Sequence, residues 1–236
     1  MRHHFRIAIW SFLCVATAVA GATESAAPKA VGYLTEAEKV ALLESVPPPP
    51  ETGSNQDKAD LAAVLKAQNE RTPEQLAAIK NEAEFKIELM FTATTIQLSA
   101  ADFPATSSVL KKMDADVTDV YHRAKSKFKR LRPFRAHPEV KNIVDANGFG
   151  YPSGHTTRSF ALAGVLSELF CDKQDALSAR ATQIAQDRMS GGEHYPSDLE
   201  SGKALGRAIY TAVSAKKEFL ADLEAAKIEL KKAGTR

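Results

Sequence analysis

The sequence predicts an all-α protein, a compact multi-helix bundle. Three observations lead there. Apolar residues recur at helical spacing through nearly the whole chain. These runs are bounded by caps and breakers, such as Thr35, Thr72-Pro73, Gly191-Gly192 and Pro196-Ser197. β-branched and aromatic residues never alternate over a useful length, so no strand is expected. At 236 residues, 44% apolar and 25% charged, the chain suits a globular protein of one domain. We read 23–236 as that single domain.

Residues 1–22 read differently. "MRHHFR" is a positive start, and "IAIWSFLCVATAVA" is an apolar run. Two small-x-small sites follow, ending at Ala20 and Ala22. This is the pattern of a secretory signal peptide, so a periplasmic or secreted chain is expected. The run is short for a membrane anchor, which is the competing reading. No other segment reaches the length of a span, so stable membrane insertion of the mature chain is not expected. Without residues 1–22 the chain carries 29 Lys and Arg against 29 Asp and Glu. No basic block suggests a nucleic-acid partner. Cys171 is then the remaining cysteine, so no disulfide within the chain is expected. Its place at the end of an apolar helix suggests a buried structural thiol.

The elements follow in order. "TEAEKVALLESV" is a helix capped by Thr35 and stopped by the prolines at 47–50. "DKADLAAVLKAQNE" is the next. "RTPEQLAAIKNEAEFKIELMF" opens with Thr72 as N-cap, Pro73 at the first helical position and Gln75 as capping-box partner, and is read as one helix. A long helix covers 104–130. Residues 131–152 hold Pro133, Pro138, Gly148, Gly150 and Pro152, which predicts a loop of functional length. Helices resume at 155–171 and 173–189. A last helical stretch runs from Pro196 to Lys232, with room for one break. Its end, "KKEFLADLEAAKIELKK", is amphipathic and can dock on its own core or on a second copy.

Three stretches carry chemistry. In "GYPSGHTTRS" a turn of small residues feeds a helix, which exposes backbone N–H groups suited to an anion. Ser153 adds a hydroxyl, and Gly154 permits close approach. His155 is placed to protonate a leaving group, or it is an incidental neighbour of a Ser cap. In "DRMSGGEHYPSDLESG", Asp198 falls in the first turn of a helix and His194 just outside it. A carboxylate there can accept a hydrogen bond from one ring nitrogen, which fixes the tautomer and leaves the other nitrogen nucleophilic. Equally, Asp198 can simply favour the helix N-terminus. In "KSKFKRLRPF", Lys125 and Arg132 stand at the mouth of the long loop, where fixed cations can be aimed inward; a solvated face is the plainer reading. With Arg188, these parts describe a phosphate pocket.

The spacing is that of a known signature. Lys125 precedes Arg132-Pro133 by six intervening residues, then comes Pro152-Ser153-Gly154-His155, then Arg188, His194 and Asp198. This resembles the type 2 phosphatidic acid phosphatase (PAP2) superfamily, which includes class A non-specific acid phosphatases and vanadium haloperoxidases. "RLRPF", "YPSGHT", "GGEHYPSDLESG" and, more weakly, "PPPPETGS" are most similar to the class A acid phosphatases. The resemblance implies an all-helical core, hydrolysis without metal or other cofactor, and a phosphohistidine intermediate. It implies His194 as nucleophile, Asp198 as its orienting carboxylate and His155 as general acid. It implies phosphate contacts from Lys125, Arg132, Ser153, Gly154 and Arg188, and an acidic optimum. One departure is Asp187, where the family usually has Ser; on a helix its side chain should diverge from that of Arg188.

The expected substrate is a small phosphomonoester. Other readings are a vanadate-dependent haloperoxidase, a phosphatase of lipid or isoprenoid phosphates at a membrane surface, and a non-catalytic anion-binding protein. The presence of His155, His194 and Asp198 argues against the last. The pocket rim is expected in 134–151 and parts of the N-terminal helices; Phe134, Phe149 and Tyr151 are available to stack on a leaving group or simply to pack.

Overall fold

The computed structural model describes residues 31–92 and 98–234. The proposed signal peptide lies outside them. The described residues form helices and connecting segments, with no strand among them. The α-helices are α1 Glu36–Ser45, α2 Asn55–Asn69, α3 Pro73–Asn81, α4 Pro104–Phe128, α5 Pro133–Ala136, α6 Gly154–Leu169, α7 Gln174–Ser190, α8 Pro196–Ser214 and α9 Lys217–Lys232. Short 3₁₀ turns cover Ile87–Phe91 and Cys171–Lys173. No helix among the described residues is long and apolar enough to cross a membrane.

α6 is the central element. It packs on α8, α7 and α4. Leu162, Val165, Leu166 and Leu169 are fully buried, and apolar residues occur on all its sides, as a helix without a solvent face requires. α8 approaches it closely because Gly202 and Gly206 share one face, four residues apart. A Cβ at Gly202 would stand 2.8 Å from the Ser153 carbonyl oxygen, and one at Gly206 would collide with that of Thr157. This close packing brings the N-termini of α6 and α8 together, and the Ser153 amide donates to the Asp198 carbonyl at 3.0 Å. The two histidine motifs therefore meet because two glycines remove side chains between their helices. α9 docks on α4 within its own chain, burying Phe219, Leu223, Ala226 and Leu230.

Thr35 and Thr72 both close capping boxes, with Glu38 and Gln75. The helix expected over 72–91 is broken, however. α3 ends at Asn81, and 82–86 form an irregular segment before the 3₁₀ turn. Tertiary contacts override helix propensity there. The Glu82 carboxylate binds Arg180 at 2.6 Å, and the Glu82 and Phe85 carbonyls are both taken by side chains of α6. α5 is a single helical turn inside the expected loop, opened by Pro133 at its first position. The break in the last helical stretch falls at Ala215-Lys216. Cys171 is exposed, contrary to the buried thiol expected. α6 ends at Leu169, Phe170 takes the buried place, and the turn carries the sulfur outward.

Candidate active site

A pocket of about 590 Å³ opens where α4, α6 and α7 meet the 131–152 segment. Lys125, Arg132, Gly154, His155, Arg188 and His194 all line it. The structure thus brings together residues 69 positions apart in the sequence. Two of the candidate residues are not in the wall. Asp198 lies behind His194. Ser153 is fully buried, and its hydroxyl caps α6 by accepting from the Thr156 amide at 3.4 Å and from the Thr156 hydroxyl at 2.9 Å.

α6 leaves an anion cradle at its start. The first amides of a helix have no intrahelical acceptor. Those of Ser153 and Thr156 are taken. Those of Gly154 and His155 have no acceptor among the described residues and sit at the positive end of the helix. Arg132 anchors the facing loop by donating to the carbonyls of Asn147 at 3.0 Å and Gly148 at 3.3 Å. Lys125 donates to the carbonyls of Phe149 at 2.6 Å and Gly150 at 3.3 Å. Burial, with Arg132 and Arg188 nearby, pushes Lys125 down to about 7.

His194 is 2% exposed and has a partner at each nitrogen. Nδ1 lies 3.2 Å from the Asp198 carboxylate, and Nε2 lies 3.1 Å from an Arg132 guanidinium nitrogen. Arginine only donates, so Nε2 accepts and Nδ1 carries the proton. The ring is neutral, with its lone pair toward the cationic wall. Burial holds its pKa well below the usual value, and Arg132, Lys125 and Arg188 add to the depression. Asp198 is pushed up to about 6 by burial, while Arg130 draws it down.

His155 is held otherwise. Its Nε2 donates to the Glu82 carbonyl at 2.9 Å, and its ring stands edge-on to Phe85 at 5.5 Å. Burial lowers its pKa well below 6.5, with Arg188 the next cause. Arg188 forms an ion pair with Glu193, and its Nε has no partner among the described residues. Asp187 points away from the pocket wall. It is buried, accepts from Gln183 at 2.9 Å and is pushed up to about 6 by burial and by Glu82.

Several wall residues were not singled out by the sequence. Arg158 is fixed by Asp114 through bonds of 2.6 and 2.7 Å and lies over the Phe85 ring at 4.1 Å. Phe85, Tyr121 and His122 also line the pocket. Of the aromatic residues expected at the rim, Phe149 lines it, while Phe134 packs against a separate apolar cluster. Tyr151 is buried and donates to the Pro47 carbonyl at 2.8 Å. Glu82 and Glu193 supply counter-charge from behind. Glu193 adjoins His194 in sequence, whereas nothing in the local pattern of Glu82 signals its role. Among the described residues no cluster of three or more His, Cys, Asp or Glu side chains could hold a metal ion.

Comparison with known proteins agrees with this geometry. The PAP2 superfamily pattern matches residues 109–219, which contain the whole cradle. A non-specific acid phosphatase of Providencia stuartii is 30% identical over 211 residues, covering 85% of each chain. The chain belongs to the PAP2 superfamily. An acid phosphatase of Zymomonas mobilis is 25% identical, covering 95% of this chain and 91% of its own. Among solved structures, a transmembrane PAP2-type phosphatidylglycerolphosphate phosphatase from Bacillus subtilis aligns with a TM-score of 0.54 and 15% identity, over 77% of this chain and 93% of its own. A bacterial vanadium-dependent iodoperoxidase aligns at 0.52 and 18%, over 73% of this chain and 52% of its own. At these identities the two structures share a fold with this PAP2 chain. They also support the all-helical class read from the sequence.

Proposed function

We propose that this PAP2 protein is an exported acid phosphatase that hydrolyses phosphomonoesters without a metal, through a phosphohistidine at His194. One observation carries the reading: a neutral, carboxylate-backed histidine turns its unprotonated Nε2, which accepts from Arg132, toward a wall of fixed cations and helix amides. The named acid phosphatase relatives support it. Export rests on the N-terminal signal pattern.

The steps follow from the groups present. Arg132, Arg188, Lys125 and the amides of Gly154 and His155 hold the phosphoryl oxygens. Charge on those oxygens is what such a site stabilises. The Nε2 lone pair of His194 attacks phosphorus, and the bond to the ester oxygen breaks. The leaving oxygen takes a proton from His155 and departs as the alcohol. His194 is then phosphorylated and cationic, and Asp198 stabilises it through Nδ1–H. A water then attacks phosphorus, giving its proton to His155, and the P–N bond breaks to release phosphate.

His155 must be protonated for the first step, yet burial and Arg188 depress it. Substrate resolves this conflict. A phosphoryl anion seated between Arg132 and Arg188 offsets the charges that lower His155 and raises its proton affinity. Low pH favours the same form, which suits an acid phosphatase.

The test is hydrolysis of a chromogenic aryl phosphate across pH 4 to 8 with EDTA present, beside His194→Ala. EDTA-resistant turnover that disappears in the variant supports the reading. Absence of turnover at every pH contradicts it, and halide oxidation on adding vanadate would then favour a peroxidase.

A further inference from the structure

We propose that Arg130 is a positioning residue for the reaction, locking Asp198 and through it His194, and that Asp57 and Asp60 of α2 hold Arg130 in place. The inference rests on the phosphatase reading above for its kinetic consequences.

Arg130 does not line the pocket. Its side chain is 9% exposed and meets four partners. One guanidinium nitrogen donates to Asp198 Oδ1 at 2.8 Å and to Ser197 Oγ at 2.6 Å. Another donates to Asp57 at 3.1 Å and Asp60 at 3.0 Å. Ser197 donates in turn to Asp60. The guanidinium plane lies over the Tyr195 ring at 4.1 Å. The preceding residue, Lys129, adopts a left-handed conformation with φ of 52°, unusual for a non-glycine residue. That turn ends α4 and lets Arg130 and Arg132, two residues apart, serve different groups.

The division of labour at Asp198 gives Arg130 its importance. Oδ2 accepts from the Tyr195 amide at 3.0 Å and from His194 Nδ1 at 3.2 Å. Oδ1 accepts from Arg130. Removing Arg130 would leave Oδ1 without its ion pair in a carboxylate with no exposure, free to turn and readier to take a proton. A protonated or rotated Asp198 no longer grips the Nδ1–H of His194, so the ring loses the carboxylate that orients it and stabilises its charge, while Arg132 at Nε2 still favours the Nδ1–H form. The other titratable or charged groups about Asp198 are His194, Lys125, Arg132, Tyr151 and Tyr195. Of these, Lys125 and Arg132 belong to the phosphate wall, which leaves Arg130 as the cation committed to Asp198.

The experiment compares Arg130→Gln, Arg130→Lys and Asp60→Asn with wild type, after circular dichroism and thermal melting establish folding. Aryl phosphate kinetics are measured across pH, and the His194 imidazole is followed by ¹⁵N NMR. For Arg130→Gln the expected kcat loss is about 10–100-fold, the size typical of an orienting partner. KM and inhibition by inorganic phosphate should change by less than about threefold, since uniform binding is untouched. The acidic limb of kcat should move up by about one pH unit, because an adjacent cation has been removed from a carboxylate. Arg130→Lys should recover part of the rate, and Asp60→Asn should show a smaller loss in the same direction. If Arg130→Gln does not fold, those two variants carry the test. Unchanged kcat with an unmoved acidic limb would overturn the proposal, as would a change confined to KM. Should wild type itself fail to hydrolyse, the phosphatase reading falls. The spectra still decide Arg130: an upfield shift of the His194 Nδ1 proton in its variants, the sign of a weakened bond to Asp198, supports the positioning role, and an unmoved proton overturns it.

Discussion

His194 and His155 occupy similar places and have different company. Each sits at the start of a helix, His155 in the first turn of α6 and His194 just before α8. Each is depressed by burial and by the same arginines. Behind His194 stands a carboxylate held by an arginine, which two further carboxylates hold in turn. Behind His155 stands a neutral carbonyl on the irregular segment after α3. A carboxylate can stabilise the cation that forms when a histidine is phosphorylated. A carbonyl fixes the ring but adds little charge, so the proton stays exchangeable. On the proposed mechanism the partner, more than the histidine or its helix, separates nucleophile from acid.

The harshest way to break this contrast is Asp198→Asn. An amide can present N–H to Nδ1 and favour the other tautomer, so kcat should fall by about 10⁴-fold while the fold survives. Steady-state kinetics with a melting curve would check it; a loss under tenfold would make Asp198 merely a helix-start residue. Next is His155→Gln, where loss of an acid costs about 10²–10⁴-fold. In the phosphorylation step, read by single-turnover kinetics, that loss should depend on the leaving group. It should be large for alkyl phosphates and small for nitrophenyl phosphate, whose oxygen departs without a proton. Equal losses of that step on both esters would remove His155 from the acid role.

A third test concerns the charge behind Arg188. Asp187 is raised to about 6 in the fold from an ordinary 3.8. A raised carboxylate favours the folded state when protonated, so its cost appears as pH climbs from about 4 to 6 and is complete above that. Asp187→Asn should therefore stabilise the protein by roughly 3 kcal/mol at most at pH 7, and not at pH 4. Melting curves at the two pH values would show it, and equal shifts at both would contradict the assignment. The smallest effect is expected outside both surroundings. Cys171→Ser, at an exposed turn, should change stability by less than about 0.5 kcal/mol and leave turnover as it was.

The same contrast explains what was legible in the sequence. The His194 arrangement is largely local: His194 and Asp198 are four residues apart, and Pro196 announces the helix that orients them. Lys125 and Arg132 were readable because a helix end and a proline mark where the chain turns inward. The partners of His155 are not local. Glu82 stands 73 residues away, and helix propensity alone runs an unbroken helix through it. Nothing in "NEAEF" records that its carbonyls face α6. Arg130 was visible as one cation in a charge run, but its four partners come from α2 and α8, and spacing does not report them. Cys171 was misread for a related reason. Apolar periodicity gave the helix correctly but not the residue at which it turns.

Covalent phosphorylation of His194 is what separates the proposed mechanism from direct attack by water. It can be tested by rapid quenching of the enzyme with ³²P-labelled aryl phosphate, followed by peptide mapping. An acid-labile, base-stable label is expected on the peptide containing His194, formed and lost at rates consistent with turnover and absent from His194→Ala. Turnover by wild type without any labelled enzyme, or label that persists in His194→Ala, would contradict it.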